Sequence, residues 1–116
     1  YLLLTQLVQK AKETGISIYL LAEIAPLYEG FGQGPHGPNM IVDAAHDQSN
    51  RVLEQLESVS GVAKSQGIPV IDVFSSTQSN GKYGSKFYTN ADDGIHPSVA
   101  GHQLTASKIA TTIILK

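Results

Sequence analysis

The order of elements in this 116-residue chain predicts an α/β domain built on a parallel sheet. Two observations carry that expectation. Amphipathic helical stripes alternate with short apolar runs, in the order helix, strand, helix, strand, helix. Both apolar runs are rich in β-branched and large residues and lack the polar alternation of a half-exposed strand, as strands covered on both faces do. Alternation of this kind implies β-α-β units joined by crossover helices.

Leu4, Leu7, Val8 and Ala11 fall at i, i+3, i+4 and i+7, which predicts a helix that packs one face. Gly15 is placed to end it. Ile16 to Ala25 is a nearly unbroken apolar run closed by Pro26 and reads as the first strand. Residues 26–40 hold three prolines and four glycines with no clear period, so a long loop is expected there. Ala45, Ser49, Val52, Leu56, Val59 and Ala63 predict a helix across roughly residues 42–66, ended by Gly67. Ile68 to Phe74 reads as the second strand, and residues 75–92 as a polar segment carrying Tyr83, Phe87 and Tyr88. Pro97 suits the first position of a last helix. There Val99, His102, Ala106, Ile109, Ala110 and Ile113 share a face to the chain end.

Composition narrows what such a domain does. Apolar residues make up 41% and charged residues 16%, the balance of a globular chain rather than a disordered one. Net charge is −2 and no block of Lys or Arg occurs, so no electrostatic footprint for nucleic acid or an anionic membrane is present. The absence of cysteine removes disulfides, thiolate metal sites and cysteine nucleophiles together. No apolar run approaches the ~20 residues of a membrane-spanning helix. The chain opens inside a leucine-bearing helical pattern with neither initiator methionine nor leader, and is expected to belong to something larger.

The five residues Asp93-Gly94-Ile95-His96-Pro97 carry the chemistry. A carboxylate three residues before a histidine, in a turn containing glycine, can fold back onto one imidazole nitrogen. The other nitrogen is then free to accept a proton, which is the base-plus-orienter half of a nucleophilic hydrolase. Gly94 supplies the positive φ that a sharp reversal needs. In an open parallel sheet, ligands bind beyond the carboxyl ends of the strands, where residues 26–40 and 75–96 both emerge. The same spacing also suits a plain cap on the last helix, and spacing does not choose between the two.

Asp93-Gly94-Ile95-His96-Pro97-Ser98, followed by Gly101 and Ala106, resembles the last sequence block of the GDSL/SGNH hydrolase family. Ile68–Phe74, with Asp72 near its end, is similar to that family's last core strand, and Ile16–Ala25 to the strand before it. The resemblance covers residues 1–116 as the C-terminal half of a single domain. It implies a flavodoxin-like three-layer fold of which only the C-terminal αβαβα part is present. It further implies hydrolysis of carboxylic esters, of small-molecule, lipid or carbohydrate type, through an acyl-enzyme, without cofactor or metal. His96 would be the general base and Asp93 would hold its tautomer. The family's serine, in Gly-Asp-Ser, and its oxyanion-hole glycine and asparagine blocks are absent from these residues. Gly37-Pro38-Asn39 and Ser79-Asn80-Gly81 are only superficially similar. The missing N-terminal half of the domain is therefore the partner this reading requires.

Further candidates surround that core. Tyr28, Phe31, His36, Asn39 and Met40 are expected to line a substrate pocket beside His96, against the alternative of an irregular exposed loop. Asp43, His46 and Asp47 share one helix face and have the residue types of a metal half-site, although a solvated face is the commoner outcome. His102 is expected to pack, Ser98 to bind helix amides rather than act as nucleophile, and Asp72 to cap the following turn or touch the His96 loop. Two other functions compete with the esterase: a non-catalytic α/β binding module, and a metal-dependent hydrolase built on Asp43, His46 and Asp47.

Overall fold

The computed structural model describes residues 2–113. Helix α1 (Leu2–Lys12) leads through Gly15, at φ 74°, to strand β1 (Leu20–Ala22). The long helix α2 (Val42–Gln66) crosses to strand β2 (Val70–Asp72), the short helix α3 (Phe74–Thr77) follows, and α4 (Val99–Thr112) closes the chain. The strands pair in parallel with Leu20 opposite Val70, Leu21 opposite Ile71 and Ala22 opposite Asp72. This is the β-α-β unit that the alternation of elements predicts. The end of the expected last helix, 114–116, lies outside the described residues, as does Tyr1.

Side-chain alternation along the strands divides the core into two. Ala22, Ala25 and Phe74 pack with Leu53 and Leu56 of α2, joined by Val52, Val59 and Val70. On the opposite face Ile24, Ile71 and Val73 pack with Leu104, Ile109 and Ile113 at α4, joined by Leu21 and Tyr19. The result is helix, sheet, helix. Val99 and Ala106 stand exposed, so the buried face of α4 is narrower than its apolar sequence suggests.

Both strands are shorter than their apolar runs. Ile16 is 71% exposed and the ladder begins only where the Leu20 amide donates to the Pro69 carbonyl at 3.0 Å. Pro69 has no N–H of its own to extend the ladder further back. At the other end Val73 turns into helical φ and ψ, and the Asp72 carboxylate accepts the Ser75 amide at 2.9 Å, so Phe74 opens α3 instead of finishing a strand. Asp72 therefore serves the turn. Among the described residues one edge of β1 is paired; by alternation the N–H and C=O groups of Leu21 and Glu23 face the other way.

Three buried hydroxyls carry the chain out of the sheet. Thr77 Oγ1 accepts the Ala25 amide at 2.9 Å, Thr89 Oγ1 donates to the Ala25 carbonyl at 2.8 Å, and Ser49 Oγ donates to the Leu27 carbonyl at 2.8 Å. Irregular backbone at this depth is tolerated because side chains supply its missing partners. At the far end of α2, Gly67 sits at φ 66° and its amide closes onto Ala63 and Lys64 carbonyls, as a left-handed helix cap does. Among the described residues no helix is long and apolar enough to cross a membrane.

Candidate active site

The turn before α4 is built by its own side chains. The Asn90 carbonyl accepts the Gly94 amide at 2.8 Å, and Asn90 Oδ1 accepts the Asp92 amide at 2.9 Å. Asp93 Oδ1 accepts the amides of Ile95 at 2.8 Å and His96 at 3.0 Å, which aims the carboxylate into the bend. Its second oxygen, Oδ2, is hydrogen-bonded to His96 Nδ1. Gly94, at φ 71°, lets the backbone reverse between the two. Burial pushes the Asp93 carboxyl up, but the hydrogen bond from the His96 ring, the two backbone amides and attraction to His96 outweigh it and hold it below its ordinary 3.8. An ionised carboxylate only accepts, so Nδ1 carries a proton, and in the neutral ring Nε2 presents the lone pair.

The helix start locks the ring's root. Pro97 does not occupy the first helical position that its sequence context suggests. It pairs with Thr89 in an antiparallel bridge, and Ser98 is the cap. Ser98 Oγ accepts the Gly101 amide at 3.1 Å and donates to the Phe87 carbonyl at 2.6 Å, so this hydroxyl is held by backbone on both sides. The plain-cap alternative for Asp93 thus goes to Ser98, and Asp93 is left to the imidazole.

His96 is 76% exposed while the Asp93 side chain is 14% exposed. His96 lines a cavity of about 440 Å³. Leu21, Ile24, Pro26, Val52 and Leu56 form its apolar wall; Glu23, His102 and Thr105 bring the polar groups, with Ile95 and Pro97 beside His96. His102 is thus an exposed cavity residue rather than a packing one. The sequence signal for Leu21 and Glu23 was their position at the carboxyl end of a strand; for Val52, Leu56 and Thr105 only tertiary packing supplies one.

The five loop residues lie elsewhere. Tyr28 stacks on His46 with ring centroids 3.9 Å apart and tilts against Tyr83 at 4.7 Å. Phe31 is buried, Asn39 is exposed at φ 53°, and Met40 covers Gly32. His36 Nδ1 lies 3.3 Å from Asp92 Oδ2. None of the five lines the cavity at His96. Two of the helix-face trio are also engaged elsewhere: His46 Nε2 meets Glu29 Oε1 at 3.2 Å, and Asp47 pairs with Arg51 at 3.3 Å. Among the described residues no cluster of three His, Cys, Asp or Glu side chains suits a metal ion.

Compared with protein-family models, with curated proteins and with solved structures, the chain matches none.

Proposed function

We propose that this chain is the C-terminal part of a flavodoxin-like serine ester hydrolase of the SGNH type, supplying the base and its orienting carboxylate. The observation that carries the reading is the Asp93–His96 pair standing over an apolar cavity at the carboxyl end of two parallel strands. His96 Nε2 would take the proton of a serine hydroxyl as that oxygen attacks the ester carbonyl. The tetrahedral intermediate would expel the alcohol, which receives the same proton from His96, leaving an acyl-enzyme. Water would then repeat the sequence and release the acid. Asp93 keeps the proton on Nδ1 throughout. The serine and the oxyanion-hole donors come from sequence outside these 116 residues, since no Gly-Asp-Ser or Gly-x-Asn-Asp occurs within them.

The reading makes the chain alone incompetent, because neither nucleophile nor oxyanion donor is in it. Its turnover of p-nitrophenyl acetate should equal that of an Asp93→Ala/His96→Ala double variant. Joined to an upstream segment carrying Gly-Asp-Ser after a strand, the protein should take a fluorophosphonate label on that serine. His96→Ala should then lower kcat by about 10⁴-fold or more. Labelling and turnover indifferent to His96→Ala would overturn the proposal, and absence of any labelled serine would favour a binding module. A metal-dependent hydrolase has less to draw on, since His46 and Asp47 already have partners; loss of activity with a chelator would revive it.

A further inference from the structure

Beyond Pro26 the glycine-rich loop after β1 does not line the cavity, yet it touches the turn that holds the dyad at three consecutive residues. The His36 amide donates to the Asp92 carbonyl at 3.1 Å, the Gly32 amide to the Asp93 carbonyl at 2.7 Å, and the Leu27 amide to the Gly94 carbonyl at 3.2 Å. Approach this close needs glycine on both sides. A Cβ at Gly34 would stand 2.6 Å from the Asp92 carbonyl oxygen, and one at Gly94 would stand 2.3 Å from that of Gly30. The loop is itself anchored: Leu27 and Phe31 are buried, Ser49 of α2 holds the Leu27 carbonyl, and Tyr28 lies flat on His46.

We propose that loop 27–36 is a mould for the Asp93–His96 pair, and that His36 is a positioning residue acting through Asp92. His36 bonds to Asp92 twice, with its amide to the carbonyl and with Nδ1 to the carboxylate. Fixing the carbonyls of residues 92–94 fixes the peptide planes on either side of the Asp93 Cα, and with them the direction in which its carboxylate leaves the backbone. A carboxylate held in one direction keeps the imidazole in one tautomer and one orientation, which is the condition for repeated proton transfer. The catalytic meaning of this role rests on the esterase reading; the mechanical part does not.

The test reads the His96 ring directly. Long-range ¹H–¹⁵N correlation at mildly alkaline pH gives the ratio of Nδ1–H to Nε2–H tautomers of the neutral imidazole, and in the unsubstituted chain Nδ1–H should dominate. His36 and Asp92 side chains are 77% and 52% exposed, so His36→Ala and Asp92→Ala leave the core intact. Each should lower the ratio by about three- to fivefold, the scale of an exposed pair. The double variant should go no further than either single one, because both remove the same tie. His36→Gln, which keeps a side-chain donor, should recover part of the loss. A ratio unchanged in both single variants would overturn the inference, as would two effects that simply add. The outcomes separate from those of the esterase: an unchanged ratio with serine labelling sinks only the mould, and a lowered ratio without labelling sinks only the catalysis.

Discussion

Two stretches of this molecule share one sequence spacing and behave differently. Asp43-x-x-His46 lies in the first turns of α2, and Asp93-x-x-His96 in the turn before α4. On the helix the two side chains share a face but start about 5–6 Å apart at Cβ. His46 turns instead to Glu29 and to the ring of Tyr28, and Asp43 makes no ion pair among the described residues. In the turn, two backbone amides draw one Asp93 oxygen inward and Gly94 bends the chain, which leaves the other oxygen against His96 Nδ1. A spacing becomes a dyad only where the backbone closes it.

The largest effect should come from the backbone itself. Gly94→Ala adds a Cβ at 2.3 Å from Gly30 O and 2.8 Å from Phe31 Cα in a residue at φ 71°. It should cost about 3 kcal/mol in urea denaturation. Gly61→Ala, where nothing lies within 4 Å in the middle of α2, should instead stabilise by about 0.5–1 kcal/mol. Equal costs at the two sites would mean that the turn has no special backbone demand.

An intermediate effect belongs to the carboxylate. Asp93 is held below its ordinary 3.8 in the folded state, so the unfolded chain binds the proton more readily. Its contribution to stability is therefore complete above 3.8 and is lost as pH falls through the lowered folded value. Asp93→Asn should flatten that acid limb of the urea midpoint and lower stability at pH 7 by about 1 kcal/mol. An acid limb as steep as in the unsubstituted protein would show that the Asp93–His96 bond does not govern it. The smallest effect should come from Asp43→Asn on the helix, about 0.5 kcal/mol or less at pH 7, since only a favourable first-turn charge is removed. A loss above about 1 kcal/mol would show that the helix pair matters after all.

How much of this was legible differs from element to element. The extent of α2 follows from its stripe and from Gly67, because a long amphipathic period and a glycine cap are local signals. The strands were legible in place but not in length, because an apolar run records burial whereas a strand is recorded only where a partner offers hydrogen bonds; Pro69 and the turn at Val73 cut both short. The Asp93–His96 pair was readable because the carboxylate, the glycine and the imidazole that form it lie within four residues. The cavity wall was not, because Leu21, Leu56 and Thr105 meet only when β1, α2 and α4 assemble. The placement of loop 26–40 was unreadable for the same reason: the fold sends Tyr28 to α2, Phe31 to the interior and His36 to Asp92.

By itself the sequence determined the alternation of helix and strand, the ends marked by Gly15 and Gly67, and the local geometry joining a carboxylate to an imidazole at residues 93–96. These depend on short-range periodicity, glycine conformations and side chains reaching their own backbone. Tertiary structure alone decided which edge of β1 stays open, that Ser98 rather than Pro97 begins α4's capping, and that the loop after β1 is hydrogen-bonded to the turn at residues 92–94. Those outcomes depend on hydrogen bonds and contacts between segments distant in the chain, whose energies no local pattern records.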